Sequence, residues 1–413
     1  MKWLTSLTLL LAVCGLPAKE NPADSLLGRV VTGYQGWFSC PGDGSQLQGW
    51  FHWGFAGDFG AADAKSRCTV DLWPDVSELG AQERFRSPLG ADVFSSHHPK
   101  TVQRHFAWMK EYGIDSAFVQ RFGAVLRDAR HRAFTDQVLQ HCQAAAEQFA
   151  RGFCVMYDLS GLRSGEIAKV VMPDWRRLKA EMKITTSPSY QHHEGRPVVG
   201  VWGVGFNDGR AYTLAECEEL VEFLKADGCR VFLGVPFWWR QQKNDAVADP
   251  ALERIAAKAD FLSPWAVGRF RTPEEAEAML SAQISGDRAW CRKSKIGHAP
   301  VVFPGFTWRN LEKTRGRTAA LDAIPRRKGA FFWSQVRAAV GAGARTLYVA
   351  MFDEVDEGTA IFKCTNSPPT APDGSRMFAD FEGLPPDFYL WLAGQAGRAV
   401  RGEIPLEMPR RSP

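Results

Sequence analysis

Four carboxylates crowd into five residues at Asp353-Glu354-Val355-Asp356-Glu357, directly after the apolar run Thr346-Leu347-Tyr348-Val349-Ala350-Met351-Phe352. Acids packed at the end of a strand repel one another, so the pattern needs a reason. Glycoside hydrolysis supplies one, because it needs two carboxyl groups about the anomeric carbon, one held protonated by its neighbours and one ionised or acting as base. Glu354 and Glu357 can form that pair. The competing use is a solvated or calcium-binding loop. Calcium, however, prefers alternate oxygens on a longer loop containing glycine, and that pattern is absent.

Other chemistries have weaker claims. Ser160 and Ser189 lack the G-x-S-x-G turn that presents a serine nucleophile. His97-His98 and His192-His193 are adjacent pairs in polar stretches, where two neighbouring rings cannot easily face one metal; no metal and no cofactor is expected. The basic run Arg326-Arg327-Lys328 reads as a solvated helix start.

The elements that position the acids follow from the apolar pattern. Strand-length runs alternate with amphipathic segments along the chain, with no linker or short-period repeat to mark a boundary. Eight strands are predicted: residues 30–34, 116–120, 152–157, 198–202, 230–235, 260–264, 300–304 and 346–352. Helices are expected at 99–112, 132–149, 213–227, 272–284 and 328–341, among others. The strands are near-continuous Val, Ile, Leu and Phe, as in sheets buried on both faces. This order predicts an α/β fold, a (β/α)8 TIM-type barrel in one domain with long βα loops. A doubly wound sheet would share the local pattern, but no Gly-rich dinucleotide turn follows the first strand.

In such a barrel the functional groups sit at the C-terminal strand ends. Those positions hold Tyr34, Trp37 and Trp53, then Gln120 and Arg121, Tyr157 and Asp158, Trp202, Trp238, and Trp308. Together with Asp353 they are the expected substrate-binding residues. An aromatic wall with a few polar anchors suits a sugar, and the chain carries 15 Trp and 12 % aromatic residues.

Composition sets the context. Lys2, the apolar run from Leu7 to Val13 and the small residues up to Ala18 read as a signal peptide over residues 1–18. Residues 19–413 then form the domain, secreted or periplasmic. Leu11-Ala12-Val13-Cys14 gives a second reading, a lipidated Cys14. No later run reaches the about 20 apolar residues of a membrane span. Net charge is 50 − 46 = +4 with the signs interspersed, so no nucleic acid is expected, and a monomer is. Of the eight cysteines left after residue 18, Cys40 and Cys68 flank a Gly-rich loop and could form a disulfide, while Cys142, Cys154, Cys217 and Cys229 read as buried thiols.

The segment Asp353-Glu354-Val355-Asp356-Glu357-Gly358-Thr359 resembles the Asn-Glu-Trp-His-Glu-Gly-Thr/Ser signature of glycoside hydrolase family 99, the endo-α-mannosidases. Gly33-Tyr34-Gln35-Gly36-Trp37-Phe38 and Gly49-Trp50-Phe51-His52-Trp53 are similar to segments of bacterial family 71/99-like proteins. The resemblance implies an oligosaccharide or polysaccharide substrate with α-glycosidic bonds. It implies Glu357 as general acid and later base, and Glu354 as the partner that deprotonates the sugar 2-hydroxyl. The departures at Asp353, Val355 and Asp356 make the subsite more acidic and less aromatic. A family 71-like α-glucanase is one alternative, and a catalytically silent carbohydrate-binding barrel another.

Overall fold

The computed structural model describes residues 21–59, 67–370 and 376–411. The signal peptide and Cys14 lie outside the described residues. Eight parallel staves close a (β/α)8 barrel. They are β1 (Arg29–Tyr34), β2 (Ser116–Phe122), β3 (Gly152–Asp158), β4 (Arg196–Trp202), β5 (Arg230–Pro236), β6 (Phe261–Trp265), a seventh in two pieces, β7 (Gly297–His298) and β8 (Val301–Val302), and β9 (Thr346–Val349). The seventh stave breaks at Ala299-Pro300. Proline has no N–H to donate, and across it the chain changes partner: β7 pairs with β6, whereas β8 pairs with β9. β9 then pairs with β1 and completes the ring.

Helices α1 (Pro99–Tyr112), α2 (Ala129–Phe149), α3 (Met172–Ala180), α4 (Leu214–Ala226), α5 (Ala251–Ala256), α6 (Pro273–Ser294), α7 (Arg309–Thr314), α8 (Ala330–Gly341) and α9 (Phe388–Val400) surround the staves. Their starts are written in the chain. Asp128 accepts from the N–H groups of Arg130 and His131 at the head of α2. Thr213 and Glu216 form a reciprocal capping box on α4, and Thr272 with Pro273 opens α6. α6 runs ten residues past the expected end at 284, to Ser294.

Side chains on a barrel strand alternate between the axis and the helices. Three rings meet on the axis: Phe118 and Phe232 lie 4.7 Å apart, and Tyr348 is 5.8 and 5.9 Å from them. Above them sit Met156 and Met351, in space left by two glycines. A Cβ on Gly33 would stand 2.1 Å from Met351, and one on Gly200 2.6 Å from Met156. These side chains close the barrel from below and make a floor.

Both ends of the described chain are tied to the opposite face, where the strands begin. The Asn21 side chain donates to the Pro188 carbonyl at 3.0 Å, and Gln191 donates to that of Ala23. Arg401, just after α9, reaches the Gly28 carbonyl and Asp115. The eight described cysteines are all free and buried, so the Cys40–Cys68 disulfide is not formed. Cys40 instead donates to the Phe94 carbonyl and Cys68 to that of Val70. Among the described residues no helix is long and apolar enough to cross a membrane, and no cluster of three or more His, Cys, Asp or Glu is placed to hold a metal.

Candidate active site

Beyond β9 the chain stays wedged between its neighbouring staves. The Ala350 N–H donates to the Val302 carbonyl at 3.0 Å and that of Phe352 to Gly33 at 2.8 Å. It then turns back on itself, with the N–H groups of Thr359 and Ala360 both on the Glu354 carbonyl at 3.1 Å. Thr307, from the loop after β8, donates its N–H to the Glu357 carbonyl. Gly358 permits that approach: it has φ +61°, and a Cβ there would lie 2.3 Å from the Thr307 methyl. The acidic segment is thus a rigid turn at the mouth of the barrel.

Its four carboxylates have separate surroundings. Asp353 is fully buried and accepts the N–H groups of Gln35 (2.7 Å) and Gly36 (2.9 Å), which fixes the loop after β1; burial pushes its carboxyl up to about 7 against those hydrogen bonds. Glu354 accepts from Gln35 Nε2 on one oxygen and from the Thr359 hydroxyl on the other, both at 2.5 Å. Burial, with the charges of Glu357 and Asp356, raises Glu354 well above the usual carboxylate range, and the two donors oppose the rise. Glu357 is partly exposed, and its side chain has no hydrogen bond among the described residues. Burial pushes it up to about 7, Asp356 and Asp158 add to the rise, and Arg315 opposes it. Both acids are raised chiefly by burial, and the charge of Glu357 adds to the rise of Glu354. Asp356 is buried behind the turn, with His52 Nδ1 3.2 Å from its Oδ2.

Glu354 and Glu357 open onto one cavity of about 210 Å³ over the barrel floor. Gln120, Tyr348 and Met351 form its base, and Gln120 Nε2 donates to the Tyr348 hydroxyl at 3.0 Å. One wall carries Asp158, whose Oδ1 accepts the Ser160 N–H at 2.7 Å; burial pushes Asp158 up to about 6. Trp202 and Trp265 meet edge to face at 5.3 Å on another wall. Gly234 makes room for Trp202, since a Cβ there would lie 2.5 Å from the indole. Trp37 and Phe122 close the remaining side, 5.1 Å apart.

The structure therefore brings together Glu354, Glu357, Trp37, Gln120, Asp158 and Trp202. Strand alternation takes three other expected residues to the helix side. Tyr34 packs on α1 with its hydroxyl 2.9 Å from His105, and Arg121 forks onto Asp174 and Asp136. Tyr157, paired with Arg121 in the ladder, donates to the same Asp174. Trp53 is buried among Phe38 and Phe94, its indole N–H on the Phe94 carbonyl, and Asp353 holds backbone. Trp238 and Trp308 do not line the cavity; they pack on Phe237 and Phe306 in their own loops. Gln35, Phe122 and Trp265, which also stand at strand ends, line it too, and with them Ser160, Tyr348 and Met351, which the strand-end reading did not include.

No protein-family model matches the chain, and no curated protein sequence matches it. Among solved structures it is similar to the GH99 endo-alpha-mannosidase from Bacteroides thetaiotaomicron. The TM-score is 0.66 at 16 % identity, over 92 % of this chain and 99 % of that one. A structure of such an enzyme from the same organism in complex with Bis-Tris-Propane gives 0.65 at 15 % identity, over 92 % and 98 %. At these identities the likeness is one of fold, and the fold is a barrel that glycoside hydrolases use.

Proposed function

We propose that the chain is an exported, monomeric glycoside hydrolase that cleaves α-glycosidic bonds in a polysaccharide or glycan in the manner of an endo-α-mannosidase, with Glu357 as acid/base and Glu354 as its partner. The observation that carries this reading is the meeting of a buried carboxyl and a partly exposed one, both raised, in one aromatic-walled cavity at the C-terminal mouth of a barrel.

The two environments divide the roles. Both Glu354 oxygens already accept hydrogen bonds, which suits the charged partner. Glu357, partly exposed and without a donor, is the group that can reach the leaving glycosidic oxygen and deliver a proton to it. Glu354 then takes the proton of the sugar 2-hydroxyl, whose oxygen attacks the anomeric carbon as the glycosidic bond breaks, giving an epoxide-like intermediate. Water activated by Glu357, now a base, opens it with net retention. Asp158, Gln120 and the Trp202–Trp265 wall would hold the ring. A silent sugar-binding barrel fits less well, because among the described residues neither glutamate side chain is in a salt bridge and both line the cavity.

The test is product release from a panel of α-mannans and α-glucans, comparing wild type with Glu357→Gln. Release by wild type alone, with kcat/KM falling above pH about 7 as Glu357 loses its proton, supports the reading. Equal release by both proteins, or none by either with tight oligosaccharide binding, overturns it.

A further inference from the structure

Behind the acidic turn stands a histidine that the reaction as drawn does not use. His52, in the loop after β1, has its ring flat against Trp37, with centroids 3.8 Å apart and planes 5° apart. Its backbone is left-handed, φ +61°, and its carbonyl accepts the Thr69 hydroxyl at 2.6 Å. Stack, backbone and carbonyl together aim Nδ1 at Asp356 Oδ2, 3.2 Å away. The Asp356 side chain is 5 % exposed, and its other oxygen has no hydrogen-bond partner among the described residues. His52 is therefore the polar side chain that Asp356 has. Asp356 in turn is the chain neighbour of Glu357.

We propose that His52 is a positioning residue for the reaction: its contact with Asp356 holds that carboxylate in place beside Glu357, and so keeps the acid proton on Glu357. The inference rests on Glu357 being the acid. The charged groups that face Glu357 are Asp356 and Glu354 on its own turn, Asp158 at the end of β3, and Glu312 and Arg315 at α7. Glu354 is occupied by Gln35 and Thr359, Asp158 by Ser160, and Glu312 by Arg315 and Arg317. Asp356 is the member held by a single, partly exposed side chain: His52 is 38 % exposed. Without that contact no side chain among the described residues holds the Asp356 carboxylate in its orientation towards the turn. Glu357 then loses the repulsion that made its own proton hard to release.

The expected signs follow. His52→Phe keeps a flat ring on Trp37 but removes the donor, and Asp356→Asn removes the charge; both should lower the titration midpoint of Glu357 by about one pH unit. The double variant should shift it no further, since the two act in series. His52→Asn restores a donor on a residue that tolerates left-handed backbone, and should return the midpoint towards wild type.

The measurement is carboxyl 13C NMR of the glutamate-labelled, unliganded protein, with the Glu357 signal identified by its loss in Glu357→Gln. It needs no substrate, so it stands or falls separately from whether any glycan is cleaved. If a glycan is cleaved, the basic limb of kcat/KM should move by the same amount. An unmoved midpoint in His52→Phe overturns the proposal, as do shifts that add in the double variant. Asp356→Asn decides alone if His52→Phe does not fold: no shift there is equally fatal.

Discussion

Arg121 and Gln120 are neighbours on β2 with opposite fates, and exchanging each for a residue without its polar group separates scaffold from site. Arg121 is 2 % exposed and donates to Asp174 through Nε at 2.5 Å and Nη2 at 2.6 Å, and to Asp136 at 2.7 Å. Breaking a buried pair by removing one partner costs about 3–5 kcal/mol. Asp174 would keep Arg177 at 3.0 Å and the Tyr157 hydroxyl at 2.8 Å, so Arg121→Leu belongs at the lower end, about 3 kcal/mol. Unfolding entropy of about 2.1 cal/mol/K per residue over a fold of about 390 residues is about 0.8 kcal/mol/K, so the melting temperature should drop by about 4 °C. Gln120→Ala, in contrast, strips a donor from the cavity floor and leaves the Arg121 fork intact. The assay pairs calorimetry with kcat/KM at 25 °C on the substrate found in the panel. Arg121→Leu should melt early yet keep kcat/KM within about twofold, and Gln120→Ala should lose at least about tenfold with little change in melting. An Arg121→Leu protein that melts like wild type but is inactive would refute the assignment of Arg121 to the helix side.

Three further outcomes follow. Burial pushes Glu357 and Asp353 up to about 7 and Asp158 up to about 6, so the folded state holds protons that the unfolded chain releases near 4. The stability this adds is full below pH about 4 and lost as pH rises through 6 to 7, while His105 and His298, pushed down to about 3 by burial, add stability with rising pH only up to about 6.5; the melting temperature should therefore fall between pH 7 and 8, and a rise there would contradict the burial of these acids. Gly234→Ala puts a methyl 2.5 Å from the Trp202 indole and should drive that ring into the cavity; we expect KM to rise at least about fivefold, and an unchanged KM would mean that Trp202 does not touch the sugar. Every described thiol is buried, and burial pushes Cys68 up to about 12, so the native protein should not react with a thiol reagent until it is denatured; fast labelling at Cys40 or Cys68 would show that their loop opens.

The barrel was readable because each stave carries enough β-branched and aromatic residues to mark a strand, even the seventh, where Pro300 splits the ladder. The acidic turn was readable for a different reason: four acids after an apolar strand have few structural explanations. What failed was the facing of side chains. Tyr34, Arg121 and Tyr157 stand at strand ends like Gln120 and Asp158, but one residue of register sends a side chain to the helices instead of the axis. Trp53 and Asp353 failed through loop conformation, which places the first among Phe38 and Phe94 and turns the second onto the N–H groups of Gln35 and Gly36. The Cys40–Cys68 pairing failed because flanking a loop does not bring two sulfurs together.

Asn21 and Arg401 both sit at the face where the strands begin, while the cavity opens where they end. A tether attached near either residue, to a bead, an electrode or a fusion partner, would therefore leave the mouth turned outward. A long, surface-bound polymer could then be threaded past the opening without meeting the support. Coupling through the loops after β4 or β6 would do the opposite and press the entrance against whatever the protein is fixed to.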